Sequence, residues 1–283
     1  MQTSDPARLH EIATAIRKSV VSSLCEAKSG HLGGSLGSAD IFTALYFSVI
    51  THDPTNPFWQ DRDRVILSIG HVAPVLYATL AHSGYFPIEE LTTLRKLGSR
   101  LQGHPGREHG LPGLELSAGS LGQGLSVAVG MALAAKMDHK NHHIYSIHGD
   151  GELQEGSIWE AAMSASHHQL GNLTAIVDRN GLQIDGQTED VMQLEPLSDK
   201  WRSFGWRVIN CDGNDLEQLL MAFSEAKIIK GMPTIIIAKT TMGKGIKSIE
   251  GDFKWHGKVP GPDQAAAFLQ ELSAGNLDNN ASL

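Results

Sequence analysis

The chain has 283 residues, 41% of them hydrophobic and 19% charged, which is the composition of a soluble globular protein rather than a disordered one. Its formal net charge of -8 argues against a basic face for nucleic acid, and neither a signal peptide nor an apolar run of transmembrane length is visible. The two cysteines, Cys25 and Cys211, lack metal-site spacing, which predicts reduced thiols in a cytoplasmic protein.

The first predicted elements are two helices separated by a glycine-rich segment. Apolar residues at helical spacing predict an amphipathic helix over residues 8–27, and residues 40–50 predict an apolar helix. The segment between them, SGHLGGSLGSAD, has several glycines, which let the backbone approach another part of the molecule closely. His31 in this segment is either a structural hydrogen-bonding group or a group that faces a ligand.

Two further histidines occupy constrained positions downstream. RVILS at residues 64–68 predicts a strand, and Gly70-His71 comes directly before the next predicted helix. His71 therefore lies near main-chain amides that favour anions, or else it caps the helix. His104 belongs to QGHPG in a predicted loop over residues 95–113, where the following proline restricts the backbone and holds the imidazole in place.

A second glycine-rich segment, SAGSLGQGLSVAVGMALAAKMD, places Gly119, Gly122 and Gly124 just before a predicted helix at residues 125–136. A glycine-rich loop at a helix amino end can bind a diphosphate through its backbone N–H groups. The helix is rich in small residues and nearly free of charge, which predicts a position that is buried, either inside the domain or between subunits.

The stretch from His142 to Gly186 predicts a β-α-β unit with strands at residues 144–147 and 173–177. Asp150 lies in a Gly-Asp-Gly turn after the first strand, and Asn180 follows the second. Both oxygen ligands therefore reach the carboxyl ends of strands, where open parallel sheets bind ligands. With a main-chain carbonyl after Asn180, they could supply half of the octahedral shell of Mg²⁺. The alternative is an ordinary turn in which Asp150 caps the next helix.

The remaining segments continue the alternation of strands and helices. Strands are predicted at residues 206–211 and 234–239, a helix at 216–229, and a glycine-rich loop at 240–257 that ends near His256. This order predicts a single doubly wound α/β domain over residues 1–272, with a mostly parallel sheet and helices on both faces. Residues 273–283 lack apolar periodicity and predict a polar, disordered tail.

Taken together, the motifs resemble the amino-terminal, diphosphate-binding module of transketolases over about residues 8–260. The motifs that carry this resemblance are SGHLGGSLGSAD, LSIGHVAPVLYA, QGHPG, GSLGQGLSVAVGMA, GDGELQEG, DRNGLQIDG and WHGKVP. The resemblance implies the thiamine-diphosphate-binding fold, with thiamine diphosphate and Mg²⁺ as cofactors and Ca²⁺ or Mn²⁺ able to substitute for the magnesium.

The resemblance also implies roles for individual residues. The implied metal ligands are Asp150, Asn180 and the main-chain oxygen of Leu182. The implied cofactor contacts are His71, Gly119, Leu121, Asp150, Gly151, Asn180 and His256. The implied catalytic imidazoles in the substrate channel are His31, His104 and His256. Glu155 matches an acid near the subunit interface, where the family has a carboxylate network between active sites.

The resemblance implies a partner as well. In transketolases the glutamate that activates the aminopyrimidine ring lies in a second domain, and this chain ends before such a domain would begin. It is similar to the first chain of split members, which implies a cytoplasmic two-chain enzyme that transfers a ketol unit between sugar phosphates in carbohydrate metabolism, as in the pentose phosphate pathway. Activity would require the C-terminal, pyrimidine-binding subunit, in a heterotetramer.

Three alternatives stay open. The first is a split transketolase for a branched or sulfonated ketose. The second is another thiamine-diphosphate enzyme, such as the α-chain of a 2-oxoacid dehydrogenase or a deoxyxylulose-phosphate synthase. The third is a non-catalytic, cofactor-binding scaffold. The set of four histidines favours a transketolase over the second and third alternatives.

Overall fold

A five-stranded parallel sheet forms the centre of the computed structural model, which describes residues 2–280, with side-chain surroundings for residues 2–275. The strand order is β1-β2-β3-β7-β6, and a separate two-stranded hairpin contains β4 and β5. The strand bounds are β1 Arg64–Leu67, β2 Ile144–Gly149, β3 Leu173–Arg179, β4 Leu182–Gln183, β5 Gly186–Gln187, β6 Arg207–Asp212 and β7 Thr234–Lys239.

The central strands are buried along nearly their whole length because both faces of the sheet are covered. Ile147 of β2 pairs with Ile176 of β3, which pairs with Ile236 of β7, and all three side chains are fully buried. The same register places Gly149 opposite Asp178 at the carboxyl ends of β2 and β3. The turns that follow these two strands are therefore neighbours at one edge of the sheet.

Helices cover both faces of the sheet and form two cores. One core contains apolar residues of α1, α3, α4 and α9, and the other contains residues of α5, α6 and α8. The helix bounds are α1 Pro6–Ala27, α2 Leu32–Gly37, α3 Ala39–Ala44, α4 Ala73–His82, α5 Gln123–Met137, α6 Gly156–His167, α7 Thr188–Val191, α8 Leu197–Ser203, α9 Leu216–Ile228 and α10 Pro262–Asn280. The predicted doubly wound α/β fold is confirmed.

The first glycine-rich segment is helical rather than a loop. It forms α2, which α3 follows directly, and a π-helical turn at Leu45–Val49 ends this helical region. Glycine is required here by close packing, as predicted. A Cβ atom at Gly37 would lie 2.9 Å from the carbonyl oxygen of Thr241, and one at Gly33 would lie 2.7 Å from the Met242 side chain.

A buried ion pair fixes this helical layer. Arg17 of α1 donates two hydrogen bonds to Asp40 of α3, at 3.0 and 2.6 Å. Asn214 donates to Asp40 at 2.9 Å and accepts from the Thr241 N–H at 2.8 Å. Helix α2 is thereby held against the segment that leads from β7 to His256.

Helix α10 continues past residue 273, where we predicted a disordered tail, and extends to Asn280. Ala265, Phe268 and Leu272 of this helix are buried, and Phe268 packs edge-on against Trp255. Residues 281–283 lie outside the described part of the chain, and the boundary of the domain stays a prediction. Among residues 2–280, no helix combines the length and the apolar character needed to cross a membrane.

Candidate active site

A cleft of about 440 Å³ opens at the carboxyl ends of β2 and β3. The structure brings all the predicted site residues together along its walls: His31, His71, His104, Gly119, Leu121, Asp150, Gly151, Glu155, Asn180, Leu182 and His256. A larger cavity of about 760 Å³ shares Asn180 but is lined by neither Asp150 nor a histidine. We therefore place the site in the smaller cleft, where the chemically active groups meet.

Asp150 is held rigidly at the end of β2. Its Oδ1 accepts a hydrogen bond from the Gly151 N–H at 2.8 Å, and its Oδ2 accepts from the Gly181 N–H at 2.6 Å and from Arg179 at 2.9 Å. Asp150 thus caps the short helical turn that follows, as the alternative interpretation predicted, and also faces the cleft. Burial raises the pKa of its carboxyl, while Arg179 and the two amides act in the opposite direction.

Asn180 lies across the cleft edge from Asp150. Its Oδ1 accepts the Leu182 N–H at 2.9 Å, which fixes the bend into the β4–β5 hairpin. Asp178, buried at the end of β3, accepts a hydrogen bond from the Thr240 hydroxyl. Burial, together with the charge of Asp150, raises the pKa of Asp178 to about 7. Sequence analysis missed Asp178, although a carboxylate ending a buried strand was a visible signal.

Sequence analysis also missed the carboxylate of Glu152, which is buried beneath the glycine-rich loop. It accepts hydrogen bonds from the Ser68 hydroxyl and from the Gly122 N–H, the latter at 2.8 Å. Its other oxygen lies 3.1 Å from Nδ1 of His148. Ser68 in turn accepts the Gly124 N–H at 3.0 Å. Burial alone would raise the pKa of Glu152, but His148, Ser68 and Gly122 together lower it. This network joins β1, β2 and the loop before α5.

The glycine-rich loop also packs tightly against its neighbours. Gly122 has a left-handed backbone with φ of 83°, and a Cβ atom there would lie 2.7 Å from the Glu155 side chain. A Cβ atom at Gly70 would lie 2.9 Å from the Gly119 N atom, so the turn that carries His71 contacts this loop directly. Glu155 is exposed at the cleft edge, and its role at a subunit interface stays a prediction.

Four imidazoles form one cluster in the cleft. The ring centroid of His31 lies 5.1 Å from that of His71, 5.6 Å from His256 and 6.4 Å from His104. The Nδ1 atoms of His31 and His256 are buried and have no hydrogen-bond partner among residues 2–275. Because buried polar atoms are nearly always hydrogen-bonded in native structures, these two nitrogens indicate a ligand site.

The pKa of each of the four imidazoles is lowered from its ordinary value, and burial is the largest cause for all of them. Burial, followed by the neighbouring imidazoles, lowers the pKa of His71 to about 3. Burial, the imidazoles of His256 and His104, and the Arg95 guanidinium lower the pKa of His31 to about 4. Burial also lowers the pKa of His104 and of His256. A neutral imidazole can donate a hydrogen bond to a hydroxyl group or accept one from it. It can also take up a proton during a reaction.

The residues present fit a metal-bound diphosphate. Asp150, Asn180 and the main chain at Leu182 offer hard oxygen donors of the kind that Mg²⁺ prefers. Gly119 and Leu121 line the cleft near the amino end of α5, where an anion is favoured, whereas the N–H groups of Gly122 and Gly124 are bonded to Glu152 and Ser68. Within the described residues, no group of three or more His, Cys, Asp or Glu side chains has metal-binding geometry. The predicted metal site does not need such a group, because the side-chain amide oxygen of Asn180 and the main-chain oxygen of Leu182 complete its set of protein ligands.

A doubly wound sheet with such a cleft at its strand ends defines a diphosphate-binding α/β protein. The chain belongs to the transketolase family, because residues 9–276 match the family described as "Transketolase, thiamine diphosphate binding domain".

Its relatives divide into two groups by length. The chain is 47% identical to the "6-deoxy-6-sulfo-D-fructose transketolase subunit SqwG" of Clostridium sp. (strain MSTE9), over 93% of this chain and 96% of that protein. It is 44% identical to a subunit of the apulose-4-phosphate transketolase of Phocaeicola vulgatus, over 91% of each. By contrast, it covers 46% of the transketolase from Leishmania mexicana, with a TM-score of 0.84, 32% identity and 98% of this chain aligned. The predicted resemblance to split transketolase subunits is confirmed.

Proposed function

We propose that this chain is the N-terminal subunit of a two-chain, thiamine-diphosphate-dependent transketolase that transfers a two-carbon ketol unit from a ketose phosphate to an aldose phosphate. The observation that carries the proposal is the cleft itself, which joins hard oxygen donors to four uncharged imidazoles at the sheet edge. The comparisons support the proposal, because the chain aligns over nearly the full length of relatives that are named as transketolase subunits.

Within this proposal, Asp150, Asn180 and the Leu182 carbonyl hold Mg²⁺, and His71, Gly119, Leu121, Gly151 and His256 contact the cofactor. Bound thiamine diphosphate supplies the carbon nucleophile and the electron sink of the reaction. Glu152 holds the glycine-rich loop in place through the hydrogen bond that it accepts from the Gly122 N–H.

His31, His104 and His256 act on the sugar. Their lowered pKa values keep them neutral, so each can accept a proton from a sugar hydroxyl or stabilise it by a hydrogen bond. The unpartnered Nδ1 atoms of His31 and His256 have hydrogen-bonding capacity that a sugar would satisfy. Charged imidazolium groups could not serve as proton acceptors in this way.

The activating glutamate and the pyrimidine pocket belong, in this proposal, to a C-terminal partner chain. The chain described here covers 42% of human transketolase, which leaves room for such a partner in a two-chain enzyme. Helices α5 and α6 also present apolar side chains outward, with Met137 71% exposed and Met163 55% exposed. These surfaces support a hetero-oligomer, for which we propose a cytoplasmic heterotetramer.

A second candidate concerns the sugar. The chain is 47% and 44% identical to subunits named for 6-deoxy-6-sulfofructose and apulose 4-phosphate, and 39% identical to human transketolase. These identities favour a split enzyme that acts on a sulfonated or branched ketose over an enzyme of the pentose phosphate pathway. An activity assay with several sugars identifies the donor and the acceptor.

The test is reconstitution of this chain with the protein encoded by the neighbouring gene, if that gene encodes a pyrimidine-binding chain. We expect two-carbon transfer from the complex loaded with Mg²⁺ and thiamine diphosphate, assayed with fructose 6-phosphate, 6-deoxy-6-sulfofructose and apulose 4-phosphate as donors. The isolated chain should show no transfer. Robust activity from this chain alone, with a co-purifying partner excluded by mass spectrometry, would contradict the two-chain proposal.

A further inference from the structure

We propose that Arg179 is a positioning residue of the cation site. It occupies one oxygen of Asp150, so that the carboxylate binds the cation through its other oxygen alone, which favours Mg²⁺ relative to Ca²⁺. The inference rests on the proposed function, because it presumes that Asp150 holds a divalent cation. It assigns cation discrimination to a residue outside the set of metal ligands that the sequence predicted.

The carboxylate of Asp150 has little hydrogen-bonding capacity left. An ionised carboxylate has about four acceptor positions, shared equally between its oxygens. Oδ2 accepts from the Gly181 N–H at 2.6 Å and from Nη1 of Arg179 at 2.9 Å. Among the described residues, Oδ1 accepts a single hydrogen bond, from the Gly151 N–H at 2.8 Å. Oδ2 is therefore saturated, and the remaining acceptor position belongs to Oδ1.

Arg179 contacts this carboxylate from outside the cleft. It is the last residue of β3, and its side chain is 13% exposed. Arg179 lines the neighbouring cavity of about 760 Å³ and is not among the residues that line the cleft of Asp150 and the four histidines. The guanidinium can therefore hold Asp150 in place without occupying the space that a cation and a diphosphate need.

Three acceptors besides Asp150 fix the guanidinium. Nη1 also donates to the Thr188 hydroxyl at 2.6 Å, and Nη2 donates to Glu189 at 2.8 Å and to Glu195 at 3.1 Å. All of its Nη hydrogens are thus engaged, and Thr188 is fully buried. A planar guanidinium held in this way cannot rotate without breaking several hydrogen bonds at once. The hydrogen bond to Oδ2 is therefore a fixed feature of the site.

The surrounding charge keeps the site attractive to a cation in spite of the guanidinium. The carboxylates of Asp150, Glu189 and Glu195 lie 2.9, 2.8 and 3.1 Å from the Nη atoms of Arg179. Three carboxylates around one guanidinium leave a surplus of negative charge. Because Glu189 and Glu195 share the guanidinium, it does not neutralise Asp150 fully, and Oδ1 stays available to a cation.

A carboxylate that is restricted to one oxygen discriminates between cations. Mg²⁺ demands near-octahedral coordination, whereas Ca²⁺ accepts about six to eight oxygen ligands in flexible geometry and can take both oxygens of one carboxylate. While Arg179 and Gly181 occupy Oδ2, Asp150 cannot bind a cation through both oxygens. The mode that suits Mg²⁺ remains, and the additional mode that Ca²⁺ can use is closed.

The experiment compares Arg179→Met and Arg179→Lys with the unchanged chain, each in the complex with the partner chain. The metal-free complex, supplied with thiamine diphosphate, is titrated by calorimetry with Mg²⁺ or with Ca²⁺, which gives a Kd for each cation. We expect Arg179→Met to lower the ratio of the Ca²⁺ Kd to the Mg²⁺ Kd about tenfold, close to the effect of one hydrogen bond to a charged group. Arg179→Lys should lower the ratio by less, because an ammonium group keeps the charge but lacks the planar fork.

Arg207→Met is the matched control. Arg207 is the first residue of β6, so it lies at the opposite edge of the parallel sheet, and it pairs with Glu225 at 2.6 Å. Its replacement should leave the ratio of the two Kd values unchanged.

An unchanged ratio in Arg179→Met would refute the inference. If both affinities fall equally, Arg179 is only a structural support, and if neither changes, it has no part in cation binding. Should Arg179→Met fail to fold, as judged by circular dichroism, the ratio in Arg179→Lys decides in the same way. The titration needs no sugar, so a complex that shows the expected ratios but no ketol transfer refutes the proposed function and supports the inference. An unchanged complex that binds neither cation refutes the inference itself.

Discussion

Replacing Glu152 by alanine should destabilise the part of the fold that shapes the cleft. The carboxylate is 2% exposed, and it is the shared acceptor for the Ser68 hydroxyl, the Gly122 N–H and Nδ1 of His148. Ser68 directly follows β1, Gly122 belongs to the glycine-rich loop, and His148 belongs to β2. Removing the acceptor leaves each of them buried without a partner, and the alanine side chain also leaves a small cavity.

The magnitude follows from the three broken contacts. A buried donor left unsatisfied costs roughly 1–3 kcal/mol, and loss of one partner of a buried ionic network typically costs about 3–5 kcal/mol in total. Because the Ser68 hydroxyl can rotate toward another acceptor, we expect a loss of about 4 kcal/mol for Glu152→Ala. That is a large part of the roughly 5–15 kcal/mol that stabilises a typical domain.

Glu152→Gln is the matched control, since its amide oxygen still accepts from Ser68 and Gly122. We expect it to cost about 1 kcal/mol, because only the contact with His148 loses a charge-assisted hydrogen bond. The free energy of unfolding is measured by urea titration of the isolated chain, followed by circular dichroism. Thiamine diphosphate affinity is then measured on the complex by calorimetry, where Glu152→Ala should bind more weakly. A loss below about 1 kcal/mol in Glu152→Ala would refute the assignment of this network as a structural support of the loop.

Three further predictions test other parts of the site. Asp150→Ala should abolish retention of both Mg²⁺ and thiamine diphosphate, and Asn180→Ala should weaken it, because the cation bridges protein and diphosphate; undiminished affinity by calorimetry on the complex would show that the metal assignment is wrong. His104→Ala and His31→Ala should leave cofactor affinity nearly intact and lower kcat/KM for the sugar about a hundredfold or more, and wild-type kinetics in either variant would return that residue to a structural role. The pKa values of about 4 for His31 and about 3 for His71 lie below the ordinary 6.5, so the unfolded chain binds protons that the folded chain does not. This contribution to stability is therefore full above pH 6.5 and is lost as the pH falls toward 3, whereas protonation of Asp178, whose pKa is raised to about 7, acts in the opposite direction. The urea midpoint should therefore fall more between about pH 7.5 and about pH 5 in the unchanged chain than in His31→Ala; an equal change in both would contradict the burial of His31 as a neutral group.

The amino-acid sequence predicted the β-α-β unit that carries Asp150 and Asn180, and with the family resemblance it named residues that the structure places along the cleft, but it missed Asp178 and Glu152. The run from Ile144 to Ile147 is predominantly apolar because both faces of a parallel strand are buried, and that pattern is visible without coordinates. Asp150 and Asn180 follow strands that had to end at the same sheet edge, so their proximity followed from topology alone. The glycine and proline residues around the histidines left structural and functional roles open, and the family resemblance supplied the predicted roles.

Tertiary structure alone decided the features that depend on partners far along the chain. The segment from Leu32 to Gly37 is glycine-rich and resembles a loop in sequence, yet it is a helix, and Thr241 and Met242 pack against it so closely that no Cβ atom fits at Gly33 or Gly37. Glu152 looks like an ordinary charged residue after a turn, and its burial depends on Ser68, which is 84 positions earlier in the chain. Hydrogen bonds and close packing between such distant residues carry no periodicity, and only the folded chain shows which buried charges are satisfied.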